Sequence, residues 1–223
     1  EKAVKQSPAI FSSCFKLLLT EDDLSNYLKS EYEVCKKKDL ERGAAIARET
    51  LLNMGVPVNE KSMAHCVDDG LLRELTLFLA AGFSPDTKSN TGVPLLSISA
   101  RKGNNEILRY LLLAGAQVNL TADDRGSSAL IDSVMGKHQE LVKDLIAAGA
   151  DVNIRSKDGQ SALIVAVGAD EEAIVEMLLK AGADPDISDA MGVSARKYAT
   201  LFHKSAIMAL FDTITPNVPR ETA

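Results

Sequence analysis

Few residues in this chain have types and spacings that could do chemistry. His65 stands beside Cys66, the pairing of a thiol nucleophile with its base. Neighbours on a helix, however, point about 100° apart. No third group is placed to orient the imidazole, so no catalytic dyad is expected. Asp68-Asp69 and Asp123-Asp124 offer adjacent carboxylates to a cation. Neither pair lies in a calcium-type ligand loop, and solvated turns account for both. Gly136-Lys137 lacks the partner glycine and the hydroxyl of a phosphate-binding loop. No Gly-x-Ser-x-Gly elbow occurs. The cysteines, Cys14, Cys35 and Cys66, form no Cys-x-x-Cys and no zinc-like spacing with His65, His138 or His203. The expectation is a protein with no catalytic residue, no metal site and no cofactor. An enzymatic or metal-binding reading would need its centre among Cys14, Glu31, Glu33 and Cys35.

Composition narrows the partners. The chain has 223 residues, 46% hydrophobic and 25% charged, as in an ordinary folded protein. Aromatics make up 4% and Trp is absent, so the core must come from Leu, Ile, Val and Ala. Such side chains suit thin layers of closely packed helices. The net charge of −6 argues against nucleic acid, because phosphate binding rests on Lys/Arg clusters. Lys36-Lys37-Lys38 is followed by Asp39 and Glu41 and reads as a solvated helix face. No run of about 18 apolar residues exists, so no membrane span is expected. The first residue is Glu1 rather than Met, compatible with a trimmed chain or with a mature exported form. A soluble protein of the cytoplasm, the periplasm or the secreted class is expected, monomeric on its own. Three buried free thiols are expected; the alternative is a Cys14–Cys35 pair, if their helices pack antiparallel.

The elements that position these residues follow from a phrase written five times. It reads Gly55-Val-Pro-Val-Asn59, Gly82-Phe-Ser-Pro-Asp86, Gly115-Ala-Gln-Val-Asn119, Gly149-Ala-Asp-Val-Asn153 and Gly182-Ala-Asp-Pro-Asp186. Its glycines step by 27, 33, 34 and 33 residues. A period of this size marks stacked identical units. Before Gly115, Ile107 to Ala114 has apolar residues at helical spacing. Gly103, twelve residues earlier, closes a short helix over Leu95–Lys102. The spacing recurs with Gly70 and Gly82, Lys137 and Gly149, and Asp170 and Gly182. Lys137 and Asp170 must then take the left-handed conformation that glycine adopts freely. A second series, Gly92, Gly126, Gly159 and Gly192, sits in polar turns. The unit is a turn, a short helix, a tight link, a longer helix and a loop.

This pattern resembles the ankyrin repeat. Gly159-Gln-Ser-Ala-Leu-Ile-Val-Ala-Val167 with Ile174-Val-Glu-Met-Leu-Leu-Lys-Ala-Gly182-Ala-Asp-Pro-Asp186 follows the family nearly position by position. The signature Thr-Pro-Leu-His-x-Ala stands as Ser128-Ala-Leu-Ile-Asp-Ser133 and Ser161-Ala-Leu-Ile-Val-Ala166. Ser replaces Thr and keeps a capping hydroxyl. Pro and His are lost, which puts the family's bonding through that His in doubt. His138 follows the link where the family often carries His, and a structural role is implied. The implied fold is an all-α solenoid of about four recognisable repeats plus a partial first. Residues 43–212 form it, residues 1–42 add an N-terminal helical cap, and 213–223 are a tail. Pro8–Leu19 and Glu21–Lys38 are read as the extra helices, with Gly43 as the first interhelix link. The short step of 27 predicts that the first turn is trimmed away. The last unit, Ser194–Ala199, carries Arg196 and Lys197 in place of the signature's Leu and His, as suits a capping layer.

The resemblance implies a protein-binding scaffold that uses its turn edge and concave face. Carried over by position, the turn contacts are Ser89, Asn90, Val93, Asp124, Arg125, Ser127, Lys157, Asp158, Gln160, Ala190, Met191 and Val193. The short helices supply His65, Asp68 and Asp69; Ile98, Arg101 and Lys102; Asp132, Met135 and Gly136; Val165, Gly168 and Ala169; and Tyr198, Leu201 and Phe202. By analogy alone, the partner could be a co-produced bacterial enzyme that this chain inhibits or protects.

Overall fold

A computed structural model describes residues 37–214. The expected helix at Pro8–Leu19, nearly all of the one at Glu21–Lys38, and Cys14 and Cys35 lie outside the described residues. The chain divides into two compact units, one ending at Thr87 and the other beginning at Lys88.

The first unit shows three helices: α1 Lys37–Asn53, α2 Glu60–Asp68 and α3 Leu72–Ala80. Here one expectation fails. Gly43 closes no helix, because α1 runs straight through it. Gly43, Ala47 and Leu51 are buried at intervals of four, one face of a continuous helix. Glycine in a helix interior costs about 1 kcal/mol against alanine. Here it lies on the buried face with another small residue, Ala47, so it acts as a packing residue. Helix α1 packs on α3, and the Arg48 guanidinium donates to the Ala81 carbonyl (3.0 Å) just past the end of α3. That places a cation at a helix C-terminus, where the dipole favours it. The trimmed turn is as expected: Asn59 passes directly into α2, capping it with a hydrogen bond from the Ser62 amide (2.9 Å).

The second unit repeats one motif with little variation. Its short inner helices are α4 Leu95–Lys102, α6 Ala129–Met135, α8 Ala162–Ala169 and α10 Ala195–Leu201. Its outer helices are α5 Asn105–Leu113, α7 Gln139–Ala147, α9 Glu172–Lys180 and α11 Ser205–Ile214. Each inner helix packs on the next inner helix and on its own outer partner. The last, α11, continues past the expected start of the tail, so Thr213 and Ile214 are helical. Ser99, Ser133, Ala166 and Ala199 occupy one repeat position and are fully buried. A larger side chain there would overpack the layer. Leu96, Leu130 and Leu163 fill the adjoining position.

Ser128, Ser161 and Ser194 cap their inner helices, each accepting from the amide three residues on. Pro94 takes that position in α4 and offers no side-chain cap. Ser161→Ala is expected to cost about 1 kcal/mol, read as a lower urea midpoint at unchanged slope. The links behave as expected. Lys137 and Asp170 hold φ of 60° and 63°, and His203 joins them at 52°. Ion pairs brace them: Lys137 with Glu171 (2.8 Å) and Lys204 with Asp170 (2.8 Å). The half-buried His138 ring occupies the space over Gly103 and Gly136, where a Cβ on either would come within 2.5 Å of it. The structural role implied for His138 is thus that of a spacer between links.

The Gly-x-x-x-Asn phrase has a second purpose. Asn119 Oδ1 accepts from the Asp151 amide and Asn153 Oδ1 from the Asp184 amide, both at 2.9 Å. The phrase ties one repeat's loop to the next.

Candidate functional site

The turns carrying Gly92, Gly126, Gly159 and Gly192 are four fingers, each closed by an antiparallel bridge: Lys88 with Pro94, Thr121 with Ser128, Arg155 with Ser161, Ser188 with Ser194. They are also tied to each other. Asp123 N–H donates to Gly92 O, Lys157 N–H to Arg125 O, and Ala190 N–H to Asp158 O, at 2.9–3.0 Å. Three successive fingers thus rest on the ones before them through backbone bonds. Glycine is needed where the next finger lands. A Cβ on Gly159 would lie 2.7 Å from Ala190 N, whereas Gly192 has open space.

The second finger is one residue longer, the cause of its step of 34. In this finger Asp124 meets Arg101. The guanidinium holds Asp124 through two bonds (2.9 and 3.2 Å) and reaches Ser127 Oγ (3.2 Å). Its Nε lies 3.1 Å from Asp132 Oδ2, although the geometry leaves both atoms without a hydrogen bond. Ser127 Oγ donates to Asp132 Oδ1 (2.9 Å). Burial pushes the Asp132 carboxyl above the usual range, with Arg101 pulling the other way. The Arg101 hydrogen bonds hold Asp124 below its usual range. Burial opposes the charge on Arg101, yet Asp124 and Asp132 outweigh it.

Arg101, Asp124, Ser127 and Asp132, expected as separate partner contacts, therefore form one internal clamp between α4, the second finger and α6. Ser127 and Asp132 are buried, as is Val93, and these three offer no outward surface. Among the described residues, the outward set comprises Asn90, Lys102, Arg125, Met135, Lys157, Asp158 and Met191, with Ser89, Gln160 and Tyr198 half-buried. Val165 and Ala169 are half-buried and Gly168 exposed, leaving room beside α8. Leu201 and Phe202, at 58% and 62% exposure, are left uncovered by the described residues, and the Tyr198 and Phe202 rings stack 6.0 Å apart. Tyr198 is fixed by its hydroxyl, which donates to Asp189 Oδ2 (3.0 Å). Asp189 is committed too, accepting from the Val193 and Met191 amides; those bonds lower its pKa, the one from Val193 first.

In the first unit, the His65–Cys66 pair is no dyad. His65 Nε2 faces Asp69 (3.2 Å), while Cys66 is buried with its thiol pushed up to about 11, by burial first and then by Glu74 and Asp69. Cys66 is expected to react with a thiol reagent at least tenfold more slowly than a free cysteine of ordinary pKa at pH 8. Alkylation followed by peptide mass analysis checks this. Among the described residues no cluster of His, Cys, Asp or Glu could hold a metal ion. No helix among them is long and apolar enough to cross a membrane.

The sequence model of ankyrin repeats matches three overlapping times, at residues 63–156, 96–189 and 133–218. The chain belongs to the ankyrin-repeat family. Its fingers and inner helices are therefore ankyrin elements, and the matches begin inside α2, past the trimmed turn. An ankyrin repeat-containing protein of Treponema pallidum (strain Nichols) is 35% identical over 143 residues. That alignment takes in 64% of this chain and 47% of the relative, so the chain spans about half the length of the relative it matches. The matching family is one of repeats that serve as protein-interaction scaffolds, not one defined by a catalytic centre.

Proposed function

We propose that this ankyrin stack binds a partner protein, without chemistry of its own, through the fingers and the inner-helix row of its second unit. One observation carries the reading: the last inner helix ends in an exposed Phe202 stacked on the half-buried Tyr198, beside the bare tip of the last finger. Aromatic residues are enriched among those that dominate binding energy. Contiguous apolar surface on a folded protein marks interaction sites. The clamp on Arg101 supports it as well, because a finger fixed in place loses less entropy on binding. The partner-contacting set is Met135, Val165, Tyr198 and Phe202 on the inner row. On the fingers it is Arg125, Lys157, Asp158 and Met191.

The test is capture from the producing cells by the wild-type chain and by a Phe202→Ala, Met191→Ala, Arg125→Ala variant, both quantified by mass spectrometry. A partner retained by the first and depleted at least tenfold with the second supports the reading. Equal recovery of every protein by both would refute this surface.

A further inference from the structure

Equivalent positions in successive fingers show where the surface is incomplete. Lys88 opens the first finger, and its Nζ pairs with Asp123 of the second finger at 2.7 Å. Two repeats later Arg155 occupies the position of Lys88, as the matching bridges show. The residue in the place of Asp123 is now Ala190, which donates to the third finger just as Asp123 donates to the first. Arg155 is exposed, and among the described residues no carboxylate pairs with it. Arg125, at the tip of the second finger, is exposed and in no close ion pair among the described residues, although its charge adds to the pull on Asp124. Three of the four finger carboxylates are spoken for: Asp124 by Arg101, Asp123 by Lys88, and Asp189 by two amides and Tyr198, while the fourth, Asp158, is exposed. Among the described residues, the exposed finger cations in no ion pair, Arg125, Arg155 and Lys157, therefore outnumber the exposed finger carboxylate in none, Asp158, although the chain's net charge is −6. Beside the fingers runs an inner row with no charge from Met135 through Val165 and Gly168 to Phe202.

The geometry points to an acidic, amphipathic segment of a protein partner as the occupant. Its apolar side lies along the row ending at Phe202. One of its carboxylates fills the place beside Ala190 that the Asp123 side chain fills in the second finger, and pairs with Arg155. A second faces Arg125. This inference rests on the proposed protein-binding function and adds the chemistry of the partner. Exposed ion pairs add modest affinity individually but set orientation and exclude wrongly charged partners.

The probe is a phage-displayed library of random 12-residue peptides, selected on the full chain at low salt, with the best clone synthesised. Enriched peptides should pair Asp or Glu with large apolar residues. Arg155→Ala should weaken the synthetic peptide roughly three- to tenfold, an effect that shrinks at high salt. Ala190→Asp should weaken it at least as much, because it rebuilds the Lys88–Asp123 bridge internally, whereas Ala190→Asn should not. Unchanged melting temperatures show that the variants are folded. Enriched peptides that are basic or uncharged, or acidic ones indifferent to both Arg155→Ala and Ala190→Asp, would overturn the inference while leaving protein binding intact. No enrichment over a control protein would also overturn it, and the cell-capture experiment then decides the broader reading separately.

Discussion

Gly159→Ala should destabilise the protein by about 2–4 kcal/mol, while Gly192→Ala should cost only about 1 kcal/mol. The two glycines have the same φ, +74°, so the strain of placing an L side chain there is common to both. They differ in what lies above. The new Cβ at 159 would meet backbone atoms of Ala190 and Asp189 at 2.7–3.0 Å; the Cβ at 192 would meet nothing. Backbone cannot swing aside as a side chain can, so the fourth finger must lift. Lifting it breaks the Ala190–Asp158 hydrogen bond. Urea denaturation of both variants measures the difference, which is the energy of finger-to-finger stacking freed of the φ term. Equal losses would mean that the fingers are not stacked as described.

Arg101→Ala should cost about 3 kcal/mol at neutral pH, because it strands the buried Asp132 carboxylate. The side chain of Asp132 is 1% exposed and its partner's 28%. The pH dependence has a definite sign. Asp132 already titrates above the ordinary carboxylate value of about 3.9. The folded state thus binds a proton that the unfolded chain has released, and stability falls as pH rises through that window. Removing Arg101 takes away the charge that holds this shift in check. The window widens upward, and the penalty should be largest near pH 7–8 and shrink as the pH is lowered toward 5. Thermal unfolding at both values reads this out. Asp124, by contrast, titrates low because Arg101 donates to it. It contributes stability that is present above the unfolded carboxylate value and lost in acid in the wild type.

Most of the fold was legible because glycine and capping residues punctuate it. The two glycine series share one phase, and the left-handed residues fall where that phase puts them, including at Lys137 and Asp170. Gly43 misled for a physical reason. A glycine twelve residues before Gly55 matches the spacing of a link, but the same residue serves equally as a small packing residue on a helix face. Spacing alone does not separate the two. The surface was legible only by position. The sequence picks out Arg101, Asp124, Ser127 and Asp132 as positions where family members meet partners. It does not reveal that these four side chains meet one another between α4, the second finger and α6. Arg155 went unnoticed because its significance is a missing partner, visible only by comparing fingers already stacked in space.

Site-resolved photo-crosslinking tests the partner surface most directly. A photoreactive phenylalanine analogue would replace Met191, Phe202 or, as control, Leu113, which is 48% exposed at the end of the outer helix α5. The partner-binding surface described here predicts a common crosslinked protein from Met191 and Phe202 and none from Leu113. Crosslinking to that protein from Leu113 alone would place the interface on the outer helices and contradict the account.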